Sequence, residues 1–184
     1  MNPEALLKFF IENGIRWVES QRDVYRPSAR DLTETERSVL APFFDTNTLN
    51  LAKIKMVPVI ENPGFYSELE DMGIPVILDF SFAAGITFKD TIVVSRPYLR
   101  QPSPATALIF HELVHVVQYQ ILGVREFIER YIAAWAENGF DYSAIPLEVE
   151  AYRLGRRFEK NQGQTFSVIA EVRGSLGVKA QSEL

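Results

Sequence analysis

The chain has no cysteine and only two histidines among its 184 residues. Without thiols there can be no disulfide staple, no cysteine nucleophile and no thiolate-ligated zinc ribbon. Basic residues are in deficit as well, 19 Lys and Arg against 24 Asp and Glu, for a formal net charge of −5. A phosphate-binding face needs the opposite balance, so no nucleic acid is expected as a partner. No apolar run of the ~20 residues needed to span a bilayer stands out. The N-terminal stretch MNPEALLKFFIENG mixes charge into its apolar residues, unlike a secretory signal. A soluble, cytoplasmic protein without a membrane partner is the expectation. What remains is the composition of an ordinary globular domain, 47% hydrophobic and 23% charged. This length suits a single domain with a real core.

Residues 3–20 have a helical apolar pattern, with Pro3 in the first turn and Leu6, Leu7, Phe10 and Val18 near one face. Thr33 and Glu36 form a capping box that opens a second helix toward Phe44. Strand signals follow: alternation from Lys53 to Ile60, a short apolar run from Ile74 to Phe80, then Ile86 to Phe88 and Thr91 to Ser95 flanking Lys89-Asp90. The two-residue spacing predicts a hairpin, although Lys-Asp is not the favoured pair for such a turn. Ser103 and Pro104 suit the start of a helix that is apolar nearly all round, hence buried, and that ends near Gly123. Further helices are expected over Val124 to Ala136 and from Pro146 to about Gly163, with a short element from Thr165 to Arg173. The segregation of strands from helices predicts an α+β fold. It comprises an N-terminal helical part (1–45), a small, mostly antiparallel sheet (53–95) packed on the buried helix, catalytic helices (103–163) and a tail (174–184).

The chemistry lies in the buried helix, at His111-Glu112-Leu113-Val114-His115. Residues four apart share a helical face, so both imidazoles can meet one metal ion, and Glu112 points to the adjacent side where it can hold a water. Two histidines placed at random would fall four apart with Glu after the first roughly once in 1000 arrangements. Three polar groups among valines and leucines are costly unless something offsets them, and bound Zn²⁺ would do so.

The third ligand must be a carboxylate. A longer zinc motif would need glycine and a third histidine where this chain has Gln118 and Ile121. Glu148 and Glu150 flank the apolar stripe Leu147, Ala151, Leu154, Phe158 on opposite sides, with Asp141 as an outsider in the preceding loop. Glu148 is favoured because it shares its side with small Ala151 and Gly155, which would permit close helix approach.

His111 to His115 followed by Pro146-Leu147-Glu148-Val149-Glu150-Ala151-Tyr152 resembles the gluzincin clan of zinc metallopeptidases, over about residues 84–158. The resemblance implies a zincin-like fold, one Zn²⁺ held by His111, His115 and Glu148, and Glu112 as the general base. It also implies that Thr91 to Ser95 is the sheet edge along which extended substrate lies, making Thr91 and Val93 substrate-binding. Many gluzincins have an aspartate four residues after the ligand glutamate to support a ligand histidine; Tyr152 stands here, so that support must be built otherwise. Tyr142, Tyr152 and Tyr119 are candidate oxyanion donors, and Tyr142 is also a candidate substrate contact. The expected activity is hydrolysis of a peptide or protein substrate. The rival expectations are a catalytically silent zinc module that recognises a peptide or protein, and a peptidase kept latent by its own N-terminal arm or tail.

Overall fold

A computed structural model describes residues 2–74, 78–97, 104–160 and 163–178. Helix α1 (Pro3–Tyr25) begins at Asn2, whose Oδ1 accepts the Ala5 amide at 2.7 Å, and it runs past the expected end at residue 20. Helix α2 (Glu34–Leu40) carries the Thr33–Glu36 capping box, and α3 (Thr46–Leu51) is capped by Asp45. Strand β1 (Lys53–Val57) follows, then α4 (Tyr66–Asp71), β2 (Gly85–Phe88) and β3 (Thr91–Ser95). Helix α5 (Pro104–Glu137) is interrupted at Gly123, and α6 (Pro146–Glu159) opens on Pro146. Helix α7 (Val168–Leu176) ends at Gly177, so Gly174 to Leu176 are helical rather than part of a tail. The fold is α+β and mostly helical. Of the Ile74 to Phe80 run, 75–77 lie outside the described residues, and Phe80–Phe82 forms a short 3-10 turn, not a strand.

The sheet is mixed, correcting the mostly antiparallel expectation. Its order is β1-β3-β2: β3 pairs parallel with β1 and antiparallel with β2. Strand β3 is therefore central. Ile92 and Val94 point into one hydrophobic core and Val93 into the other, and all three are fully buried. A strand covered on both faces reads as a continuous apolar run, which is how TIVVS looks.

The hairpin joining β2 to β3 uses the unfavoured Lys89-Asp90 pair, and the end of α1 with Arg26 just after it clamps the turn from outside. Lys89 adopts φ 61°, and the Asp90 carboxylate takes Arg22 Nε and Nη2 at 3.0 Å each and Arg26 Nη1 at 2.9 Å. A bidentate guanidinium contact fixes orientation as well as charge. It ties the sheet to α1.

The first half of α5 drives Phe110, Leu113, Val114 and Val117 into one core, while the second half sends Phe127, Ile128 and Trp135 into the other. Gly123, at φ 73° and ψ 171°, lets the axis turn between them in a region almost reserved for glycine. The span Ala105–Glu137 is long and apolar enough to cross a membrane by length and composition, contrary to the sequence expectation. Most of that window is buried inside the fold, the position of a core helix.

Candidate metal centre

His111 and His115 stand one turn apart on α5 with their Nε2 atoms 3.2 Å from each other. Glu148, in the first turn of α6, brings Oε2 to 3.3 Å from His111 Nε2 and 3.4 Å from His115 Nε2. The three donors form a nearly equilateral triangle. Around tetrahedral zinc, with bonds of about 2.0–2.1 Å, neighbouring donors lie about 3.3–3.4 Å apart. The edges match.

The side chains of His111, His115 and Glu148 are only 12%, 7% and 5% exposed. Glu148 Oε1 accepts from the Tyr131 hydroxyl at 2.9 Å, whereas Oε2 is buried without a hydrogen bond. An unsatisfied buried anionic oxygen is costly. A cation at the centre of the triangle would satisfy it, so the residues present fit a metal ion. Two imidazoles and a carboxylate make a donor set suited to zinc.

The ligand-histidine support missing after Glu148 comes from Gln118. Its amide Nε2 lies 3.0 Å from the Leu147 carbonyl, which can only accept, and 3.3 Å from Glu150 Oε2. Gln118 Oε1 must therefore face His115 Nδ1, 2.8 Å away, and that nitrogen must carry the proton. In the neutral ring Nε2 then keeps its lone pair toward the triangle, as a metal ligand requires. Since Leu147 directly precedes Glu148, the same contact locks α5 to α6 beside both ligands.

Glu112 is buried on the adjacent face of α5. The Thr87 hydroxyl, 3.1 Å from the Glu112 carbonyl oxygen, donates to Glu112 Oε2 at 2.8 Å. Burial lifts the Glu112 carboxyl above its ordinary range, an effect that His111, His115 and Thr87 only partly offset. Burial would also raise Glu148, but His115 and His111 together hold it far below the usual carboxylate range. His115 is pulled down by burial, yet the facing Glu148 charge more than reverses this and raises it to about 9 in the metal-free cluster.

The candidates separate cleanly. His111, His115 and Glu148 form the cluster, and Glu112 borders the same cavity. Gly155, half of the small-residue reason for preferring Glu148, has nothing within 4 Å of where a Cβ would sit, so it does not mark close helix packing. Glu150 is buried against Gln118, and exposed Asp141 accepts from the Ser143 amide and hydroxyl at 2.8 and 2.7 Å. Thr91 and Val93 are fully buried in the central strand, so the expected sheet edge is not there. The edge facing the site is β2, whose Gly85, Ile86 and Thr87 line the cavity.

Tyr119 packs flat on Phe127, ring centres 3.7 Å apart, and is a core residue. Tyr142 and Tyr152 both line the cavity; Tyr152 is 45% exposed, with its ring 4.5 Å from that of His111. Burial and the nearby Glu148 charge push the Tyr142 hydroxyl well up, so it stays protonated. The sequence assigned no role to Gln118, Thr87, Gly85 or Tyr131. Only Gln118 left a trace there, as a polar residue one turn beyond His115 on an otherwise apolar helix.

Compared with known proteins, the chain matches no family model, no curated protein and no solved structure. The resemblance to gluzincins thus stands on the motif residues themselves.

Proposed function

We propose that this protein is a zinc-dependent hydrolase of gluzincin type that cleaves peptide bonds, with His111, His115 and Glu148 holding the ion and Glu112 as general base. The observation that carries the reading is Glu112. A site that merely held a metal would have no need of a second carboxylate, buried beside the donor triangle and steadied by Thr87. Bound zinc would supply a Lewis acid that polarises a carbonyl and acidifies a water molecule.

The chain's own groups account for the rest. With Oε2 taken by Thr87, Oε1 has no donor among the described residues and is free to accept a proton from water. The same carboxyl can then protonate the leaving amine. Among the described residues no strand pairs with the outer side of β2, which borders the cavity, so an extended peptide can add there as a further strand, independent of its sequence. This moves the substrate-pairing role from Thr91 to Ser95 onto Gly85 to Phe88. In the cavity wall the Tyr152 hydroxyl supplies a donor for a developing oxyanion, while that of Tyr142 is engaged with Glu148.

Glu112→Gln tests the reading, because it keeps the side chain's shape and the ligands but removes the base. Hydrolysis of a broad peptide library by the zinc-loaded protein should fall by ~100-fold or more with little change in stability. If wild type and Glu112→Gln were equally inert, the hydrolase reading would give way to the zinc-dependent recognition module.

A further inference from the structure

The cavity of about 860 Å³ extends well beyond the donor triangle. Past Glu112 it runs between α1, the 63–66 and 78–84 segments and the second half of α5, where Phe10, Trp17, Phe65, Tyr66, Phe80 and Trp135 line it. These rings brace one another: Phe10 meets Phe65 at 6.4 Å and Trp135 at 5.9 Å, both edge to face, and Trp17 lies 5.0 Å from Phe80. Such mutual support keeps an aromatic wall from collapsing into the space it encloses.

Charge is distributed to match. Apart from the candidate metal centre, the charged residues of the lining are Asp79, Arg156 and Glu159. Asp79 accepts through Oδ1 from the Asn62 amide and the Ser81 backbone N–H, both at 2.9 Å and both neutral donors. Arg156 and Glu159 belong to α6, on the far side of Tyr152 from Glu148. Among the described residues Asp79 is thus the one charged group at the aromatic end, and it disfavours an anionic guest there. Water there gains few hydrogen bonds, so an apolar guest is favoured.

We propose that this chamber is a specificity pocket for one large apolar side chain, aromatic or branched aliphatic, of a peptide whose backbone lies along β2. The whole cavity, metal centre and chamber together, is within the range of ligand sites, roughly 300–1,000 Å³. That the guest belongs to a peptide rests on the hydrolase reading above; that it is apolar rests on the walls alone.

The chain's two tryptophans, Trp17 and Trp135, both line the chamber, so intrinsic emission reports its occupancy directly. The experiment titrates metal-free Glu112→Gln protein with blocked hexapeptides differing at one central position, Phe, Leu, Gly or Asp. Phe and Leu peptides should change the emission saturably and bind on the order of 10- to 100-fold tighter than the Gly or Asp peptides. Ala83→Phe, which adds bulk at the lining, should abolish that preference; should it misfold, the peptide series decides alone. Equal affinities across the series, or no emission change, would overturn the proposal. So would a short fatty acid binding as tightly as the Phe peptide, since the guest would then not be a peptide side chain. Because the readout needs no turnover, selective binding without cleavage by zinc-loaded wild type would remove the hydrolase reading and leave the pocket standing. Cleavage without selectivity would do the reverse.

Discussion

Gly85 lies directly against Glu112: a Cβ on residue 85 would sit 2.7 Å from Glu112 Oε1 and 3.1 Å from its Cδ. Glycine often marks a point where another group must approach the backbone this closely. The missing side chain is what allows the carboxylate to rest against β2 while Thr87 holds its other oxygen. Gly85→Ala should swing Glu112 away and lower peptide hydrolysis by about 10- to 100-fold. Zinc content should not change, because residue 85 touches none of the three ligands. Elemental analysis beside a rate assay separates the two effects; parallel loss of metal would contradict this role.

Gln118 should matter to metal binding without touching the metal. Gln118→Leu removes the acceptor for His115 Nδ1–H and leaves the Leu147 carbonyl and Glu150 without their donor. Zinc affinity should fall by about 10- to 100-fold. Nitrogen-15 NMR of the metal-free proteins, taken above the raised His115 pKa of about 9, should find the neutral ring protonated at Nδ1 in the wild type and in mixed tautomers in the variant. An unchanged tautomer would disprove the argument from the amide.

The two α6 glutamates are distinguished by their faces. Glu148→Ala and His115→Ala should lose the roughly single Zn²⁺ per chain, because each removes one corner of the donor triangle. Glu150→Ala should retain it with a smaller loss of affinity, acting only through Gln118. Tyr131→Phe frees Glu148 Oε1 and should weaken binding by about 10-fold. Equal zinc in wild type and His115→Ala would refute the site altogether.

Acid should weaken the join between α1 and the hairpin. Burial would raise Asp90, but its hydrogen bonds to Arg22 and the Arg26 charge win, and its carboxyl titrates below the ordinary value. A depressed folded-state pKa contributes stability above the unfolded value, about 3.9, and loses it as pH falls through the folded value. Asp90→Asn should therefore cost about 1–3 kcal/mol at pH 7. The gap between variant and wild type should close below about pH 4. Urea denaturation at pH 7 and pH 3 measures both; an equal gap at the two values would show that the charge is not responsible.

Elements with purely local causes were legible early. The capping box at Thr33 and Glu36, the start of α6 at Pro146 and the break at Gly123 each depend on a few consecutive residues. The hairpin was legible from its spacing, but the clamp on Lys89-Asp90 was not, because Arg22 and Arg26 lie more than sixty residues away. Strand β3 was misplaced at the edge for a related reason. Alternation and β-propensity say that a segment is extended, not which neighbours it has, and parallel pairing with β1 leaves no local sign.

The sequence alone determined that one helix would present two imidazoles to a single ion, with Glu112 on the adjacent side, because i and i+4 share a face in any α-helix. It also narrowed the third donor to a carboxylate, since the chain has no cysteine and no other histidine. Tertiary structure alone decided that Glu148 closes the triangle while Glu150 supports Gln118, and that β2 rather than β3 borders the cavity. It also set Gly85 against Glu112. Each of these depends on how separate elements pack, and packing is set by the fit of side chains far apart in the chain, for which sequence periodicity has no signal.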